Sequence, residues 1–324
     1  MTAIKRIRIM RIKCLAVLLL AVALVLCACD SLDNKSTDTS ISATEKVRVT
    51  GELLISDDDD DDISGYPVTI NETLVKSSPA KVICLSSSLT EMIYELGFGD
   101  RLIGRGSYCE YPEEVLSLKD YGKPSSPELN DVRNASPDLL ITATSIPSKD
   151  TSALSELGIQ VLYIPSPRSV EEYGNIYRAL GMVFEGQFAG EETGNKTFSA
   201  IRSELTGSGI DLGRFIYVTE GGAVAGGDTF ESSVLSLFGE NIAVSASGYT
   251  FDKSLLADDQ PDTIVFNSDV PVSELKIDTA VSFLDAVVSG KMIRVSNSYF
   301  ESPSGRITGL LAELAGEKED ENEA

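Results

Sequence analysis

Along residues 81–168 the apolar side chains come in short runs rich in β-branched residues, separated by segments whose apolar positions recur every three or four residues. The runs at 81–85, 101–104, 138–142 and 160–164 read as strands. Helices fit between them at 89–96, 127–134 and 151–157; the first follows serines that suit an N-cap and the last ends at Gly158. No strand candidate follows between 170 and 205, where two helical stretches are separated near 181–186. The alternation then resumes with strand 214–219, helix 230–238, strand 241–244, helix 253–257, strand 263–266, helix 279–288, strand 292–295 and helix 304–315. This order predicts an α/β chain of two lobes, each a parallel sheet covered by helices, joined by a helical span. A ligand cleft between the lobes would then be lined by the loops at the carboxyl ends of the strands.

The two ends depart from this pattern. Five basic residues, Lys5, Arg6, Arg8, Arg11 and Lys13, precede an apolar run at 15–27 that is shorter than the ~20 residues of a comfortable membrane span. Its ending, Leu26, Cys27, Ala28 and Cys29, resembles a bacterial lipobox. That resemblance implies a lipoprotein signal peptide over residues 1–28, lipidation at Cys29 and anchoring on the extracytoplasmic face of the cell membrane, with an uncleaved N-terminal anchor as the alternative. Residues 29–65, with six aspartates from Asp57 to Asp62, read as a flexible acidic tether. A calcium loop starting at Asp58 fails, because Ile63 stands where the turn glycine is needed and Thr69 where the closing glutamate is needed. Residues 317–324 read as an acidic tail.

Setting residues 1–28 aside leaves about 296 residues, enough for two domains of ordinary size. The whole chain carries 27 Lys and Arg against 50 Asp and Glu, a formal net charge of −23. Such a surface repels phosphate backbones and argues against nucleic-acid partners. There is no histidine. Ser-His-Asp and Cys-His catalysis and His-ligated zinc or manganese are thereby excluded, and no catalytic residue, metal site or resident cofactor is expected. Cys84 and Cys109 either form an extracytoplasmic disulfide or stay free; the apolar run around Cys84 favours a buried thiol.

Several motifs in order then match a known family. Pro67-Val-Thr-Ile, Pro79-Ala-Lys-Val-Ile-Cys-Leu-Ser-Ser-Ser-Leu-Thr-Glu91, Leu96-Gly, Asp100-Arg-Leu-Ile-Gly, Ser107-Tyr-Cys-Glu-Tyr-Pro112 and Pro137-Asp-Leu-Leu-Ile stand in the first half. Gly239-Glu-Asn-Ile, Gln260-Pro-Asp-Thr-Ile-Val and Tyr299-Phe-Glu-Ser-Pro-Ser-Gly-Arg306 stand in the second. Together, over residues 66–316, they resemble the cobalamin-, haem- and ferric-siderophore-binding proteins of ABC importers. The resemblance implies two Rossmann-like lobes, here 66–168 and 213–316, with a helical connection at 169–212. A single long helix at 187–205, about 28 Å long at 1.5 Å per residue, would bridge them and permit little closure. It also implies a small-molecule chelate and an ABC permease as partners, and no catalysis.

Candidate ligand contacts follow from position. Ser87 and Ser88 lie between the first strand and its helix, where hydroxyls and helix N–H groups suit an anionic ligand edge, with N-capping as the competing role. Arg105 and Tyr108 follow the second strand in a loop that lines the cleft in the family, where a planar cation beside a phenol suits chelate oxygens. The segment from Glu220 to Asp228 approaches a phosphate loop but has Gly227 in place of lysine and Asp228 in place of Ser or Thr; it reads as a glycine-rich cleft wall containing Gly222. Tyr299 and Phe300 stand where relatives use aromatics against the ligand, and Arg306 follows as a binding or capping residue. The family docks on its permease through one glutamate per lobe, and here Asn130 and Ser254 occupy those places. Neighbouring Glu128, Asp131 and Asp252 are the substitutes expected to supply the charge. Two rival readings are a transport-inactive sensor or adhesive lipoprotein of the same fold and a hydrolase working without histidine.

Overall fold

The computed structural model describes residues 49–50 and 64–316; the expected signal peptide, Cys29, the six-aspartate run and the tail at 317–324 lie outside the described residues. Strand β1 (Val49–Thr50) pairs antiparallel with β2 (Val68–Ile70), which forms a hairpin with β3 (Thr73–Val75). Part of the expected tether is therefore a strand. The hairpin turn holds Asn71 and Glu72 at φ of 46° and 68°, the pair of left-handed residues that a two-residue turn needs to match strand twist.

The first large sheet contains β4 (Val82–Cys84), β5 (Leu102–Arg105) and β6 (Lys119–Asp120), followed, after a small ribbon of β7 (Gly122–Lys123) and β8 (Ser126–Pro127), by β9 (Leu139–Thr142) and β10 (Gln160–Tyr163). All its pairings are parallel, in the order β10-β9-β4-β5-β6. Every residue of β4 and β9 is buried, which is why those runs are continuously apolar: helices cover both faces. Helices α1 (Ser87–Glu95), α2 (Leu129–Ala135) and α3 (Ser148–Ser155) lie between the strands, as the pattern predicts.

Two antiparallel helices, α4 (Val170–Glu185) and α5 (Gln187–Gly207), form the connection. Their backbones nearly touch. A Cβ on Gly181 would stand 2.1 Å from the Gly190 carbonyl oxygen, and one on Gly194 would stand 2.5 Å from that of Tyr177. Tyr173 and Tyr177 on the buried face of α4 join one apolar cluster that runs from β4 and α1 through α4 into the second sheet.

The second sheet consists of β11 (Gly213–Val218), β12 (Gly239–Asn241), β13 (Thr263–Asn267) and β14 (Met292–Val295), all parallel in the order β12-β11-β13-β14. Its helices are α6 (Phe230–Leu235), α7 (Val272–Ile277), α8 (Asp285–Ser289), α9 (Ser298–Glu301) and α10 (Leu310–Leu314). The strand expected at 241–244 lies instead at Gly239–Asn241, and residues 242–244 turn away from the sheet; at Gly239 a Cβ would stand 2.4 Å from the Gly213 carbonyl oxygen. The stretch at 253–257 is a 3-10 turn rather than an α-helix, and the helix expected at 279–288 shrinks to α8.

Candidate functional site

Each large sheet changes its direction of growth once, between β4 and β9 in the first and between β11 and β13 in the second. Loops leaving adjacent strands at such a point diverge to opposite faces and open a crevice beyond the carboxyl ends. In the second lobe that crevice is a cavity of ≈ 390 Å³. Thr219, Glu220 and Gly221 follow β11 into it, Asn267 ends β13, and Asn297 follows β14. Glu231 and Tyr249 close one side, Phe300 and Glu301 of α9 another, and Ser166 arrives from the loop after β10 of the first lobe.

The polar groups of this cavity are three carboxylates beside hydroxyls and amides that donate as well as accept. Glu220, Glu231 and Glu301 line it, and among the described residues no lysine or arginine does. The Tyr249 hydroxyl donates to Glu231 at 2.9 Å, and burial with the neighbouring Glu231 charge pushes that phenol up to about 12. Asn297 Nδ2 donates to Glu301 at 2.7 Å. Asn267 is 2% exposed, and its Oδ1 accepts the Asp269 N–H at 2.8 Å. Phe300 lies edge-on to Tyr217, with ring centroids 5.4 Å apart.

The glycine-rich wall has a structural cause. The Gly222 N–H donates to the Thr219 carbonyl at 2.8 Å, and φ of +71° at Gly222 completes a tight reversal that brings Val224 back beside Val218. Gly226 and Gly227 pass so close to the 244–246 backbone that a Cβ on either would stand within 2.3 Å of a carbonyl oxygen. Asp228 accepts from the Ser247 hydroxyl at 2.7 Å and the Gly248 N–H, which hold its carboxyl below the usual range. It also meets Arg168 of the first lobe at 3.0 Å.

In the first lobe the expected contacts are largely committed to the protein. Ser86, not Ser87 or Ser88, caps α1. The Ser87 hydroxyl donates to the Tyr108 carbonyl at 2.6 Å, and that of Ser88 donates across to the Pro303 carbonyl. Arg105 Nη1 donates to the carbonyls of Gly106 and Cys109 and lies 4.0 Å from Asp120. Its guanidinium holds a loop. Tyr108 stands 57% exposed, with the Lys123 ammonium over its ring. Arg306 grips Glu91 with Nε at 2.7 Å and Nη2 at 2.6 Å and stacks on Tyr111, so its strongest partner is a buried carboxylate of α1. Tyr299 presents its hydroxyl to Gly309. Of the eight sequence candidates, the structure brings Phe300 to the cavity and Gly222 beside its Gly221 wall. Glu220 opens the segment read as a cleft wall, whereas Glu231, Glu301 and the amides escaped sequence reading, although Thr219, Asn267 and Asn297 sit at strand ends where the switch-point rule directs attention. Cys84 and Cys109 are both free and buried; burial first, then neighbouring Cys109, pushes the Cys84 thiol up to about 12.

Among the expected docking residues, Glu128 precedes α2, Asn130 accepts from Arg133 at 3.3 Å and Asp131 pairs with Lys119 at 2.5 Å. Glu128, Asn130 and Asp131 share an open hollow on the first lobe. Asp252 accepts from the Ser254 N–H at 2.9 Å on the second.

Comparison with known proteins gives this architecture relatives. The uncharacterized ABC transporter substrate-binding lipoprotein YvrC of Bacillus subtilis is 26% identical over 271 residues, covering 77% of this chain and 85% of the relative. A cobalamin-binding protein of Halobacterium salinarum is 23% identical over 283 residues, covering 79% of this chain and 75% of the relative. Among solved structures, a possible iron-binding periplasmic solute-binding protein from Staphylococcus epidermidis superposes with a TM-score of 0.61 at 18% identity, covering 74% of this chain and 98% of that one. The periplasmic vitamin B12 binding protein of Vibrio cholerae gives 0.55 at 18% identity, covering 74% and 96%. These likenesses concern the fold. A family model described as periplasmic binding protein matches residues 82–286, and the chain belongs to that family.

Proposed function

We propose that this chain is the substrate-binding component of an ABC importer, capturing a cobalamin, haem or ferric-siderophore type chelate outside the cytoplasm and delivering it to the permease. The observation that carries the reading is the cavity at the β11/β13 switch point, where aromatic, amide and carboxylate groups converge. The protein acts by binding rather than by catalysis. The name of one reported relative, a cobalamin-binding protein, supports the ligand class. Lipid at Cys29 holds the chain at the membrane, and Glu128, Asp131 and Asp252 supply the charge that meets the permease.

Purification of the full chain from its own host, followed by native mass spectrometry and absorbance, tests this reading. The expected result is one bound chelate with a corrinoid, haem or ferric charge-transfer spectrum. A chain that carries no chelate and binds none on addition overturns it. Cys29→Ala should release the protein from membranes with its fold intact; unchanged partition into detergent would reject the anchor.

A further inference from the structure

Resting on the reading of this chain as a chelate-binding protein, we propose that Glu91, a buried carboxylate of the first lobe, is a positioning residue for the second-lobe cavity. Through Ser304 and Arg306 it holds helix α9, and with it the Phe300 and Glu301 side of the cavity, in the place that fits the ligand. Ser88, Glu91 and Glu95, spaced three and four residues apart on one face of α1, meet the segment that leaves α9. The Ser88 hydroxyl donates to the Pro303 carbonyl, the buried Ser304 hydroxyl donates to Glu91 at 2.6 Å, and the Gly305 N–H donates to Glu95 at 2.7 Å. Arg306 closes on Glu91 with two bonds. Four successive residues are thus fixed, three of them by short charge-assisted bonds. Helix α9 has little means of holding itself, since it is a single turn of four residues and helix nucleation is unfavourable without tertiary support. Glu301 stands two residues before Pro303, a chain reach of about 7 Å, so a shift of the segment carries the end of α9 with it. Glu91 lies on α1, outside the cavity lining, and its effect on affinity has to pass through Ser304 and Arg306. A wall ordered before the ligand arrives spares binding the cost of ordering it.

The test uses the full chain in detergent, with cyanocobalamin, haemin and ferrioxamine B as probes in calorimetry; the probe that the parent binds most tightly is carried through the variants. Arg306→Met and the double variant Glu91→Leu with Arg306→Met should each bind it about tenfold more weakly. The double variant nevertheless regains urea stability, because it removes the unpaired carboxylate. Stability and affinity therefore part, which a merely structural role would not produce. Ser304→Ala, a buried site that leaves Arg306 in place, should weaken binding about threefold. Gly190→Ala, which loses comparable stability in the α4/α5 hairpin, should keep the affinity of the parent. Hydrogen exchange of the amides at 298–302 should quicken in the double variant and not in Gly190→Ala. Affinity that follows the urea midpoint from protein to protein, or parent affinity retained in the double variant, would overturn the proposal and leave the chelate-binding reading in place. A parent that binds none of the three probes would instead sink that reading, and the positioning role would fall with it.

Discussion

Glu91 sits on α1, 2% exposed, and its carboxylate is held by Arg306 and by the Ser304 hydroxyl at 2.6 Å. The segment from Ser302 to Arg306 is thus clamped to the first lobe. Arg306→Met leaves a buried carboxylate without its cation, and a loss of about 2–3 kcal/mol is expected, below the 3–5 kcal/mol of a fully enclosed pair because Arg306 is partly exposed. The double variant Glu91→Leu with Arg306→Met should lose less than Arg306→Met alone. Urea midpoints of the three proteins check this. One turn further on, Glu95 accepts from the Tyr177 hydroxyl and the Gly305 N–H, yet burial raises its pKa above the usual 4.5. The folded protein therefore holds this proton more tightly than the unfolded chain. Its contribution is fully present below the ordinary glutamate value and is lost as pH rises through the elevated folded value. Glu95→Gln should gain stability relative to the parent between pH 4.5 and neutrality, which chemical denaturation at the two ends of that range would reveal.

At the scale of elements, the α4/α5 hairpin depends on backbone proximity. Gly190→Ala would drive a methyl 2.2 Å from the Gly181 carbonyl oxygen, and separating the helices should cost about 2–3 kcal/mol. Gly207→Ala, at the last residue of α5 with nothing within 4 Å, should instead gain about 0.5–1 kcal/mol. Thermal melts of the two variants should move in opposite directions. The same hairpin was legible in the sequence, because an amphipathic stretch long enough for two helices without a strand leaves little choice. Shorter pieces were not. The β2–β3 hairpin turns on Asn71 and Glu72 with no glycine to mark it, and its strands have three residues each. Helix α9 is a single turn that carries no periodicity. The site shows the same divide: strand order and the switch-point rule locate the crevice, but Asn267 belongs to its strand and Glu231 to a helix first turn. Neither has a local signal. Conversely, Ser88 and Arg306 looked like ligand contacts because their interlobe partners, Pro303 and Glu91, are 215 residues away in the chain.

For the whole molecule, the net charge of −23 and the continuous core through α4 bear on how the protein meets its permease. A core shared by both lobes resists large closure, so docking has to be read from surface charge present before contact. Asp131 shares its charge with Lys119, whereas Glu128 and Asp252 are exposed on different lobes. Hydrogen bonds from the Ser254 hydroxyl and N–H keep Asp252 ionised below the usual carboxylate range, so the charge it presents persists into mildly acidic surroundings. Rim charges act on encounter rate and on salt sensitivity more than on the lifetime of the complex. Replacing Glu128 by Gln and Asp131 and Asp252 by Asn should therefore slow association with the permease about threefold to tenfold at low ionic strength and flatten its salt dependence. Chelate affinity should not change, since none of the three lines the second-lobe cavity. Stopped-flow association with the reconstituted permease at two salt concentrations measures the effect. An unchanged rate and slope would mean that the lobes dock through other residues, and that Asn130 and Ser254 have no neighbours standing in for the glutamates of the family.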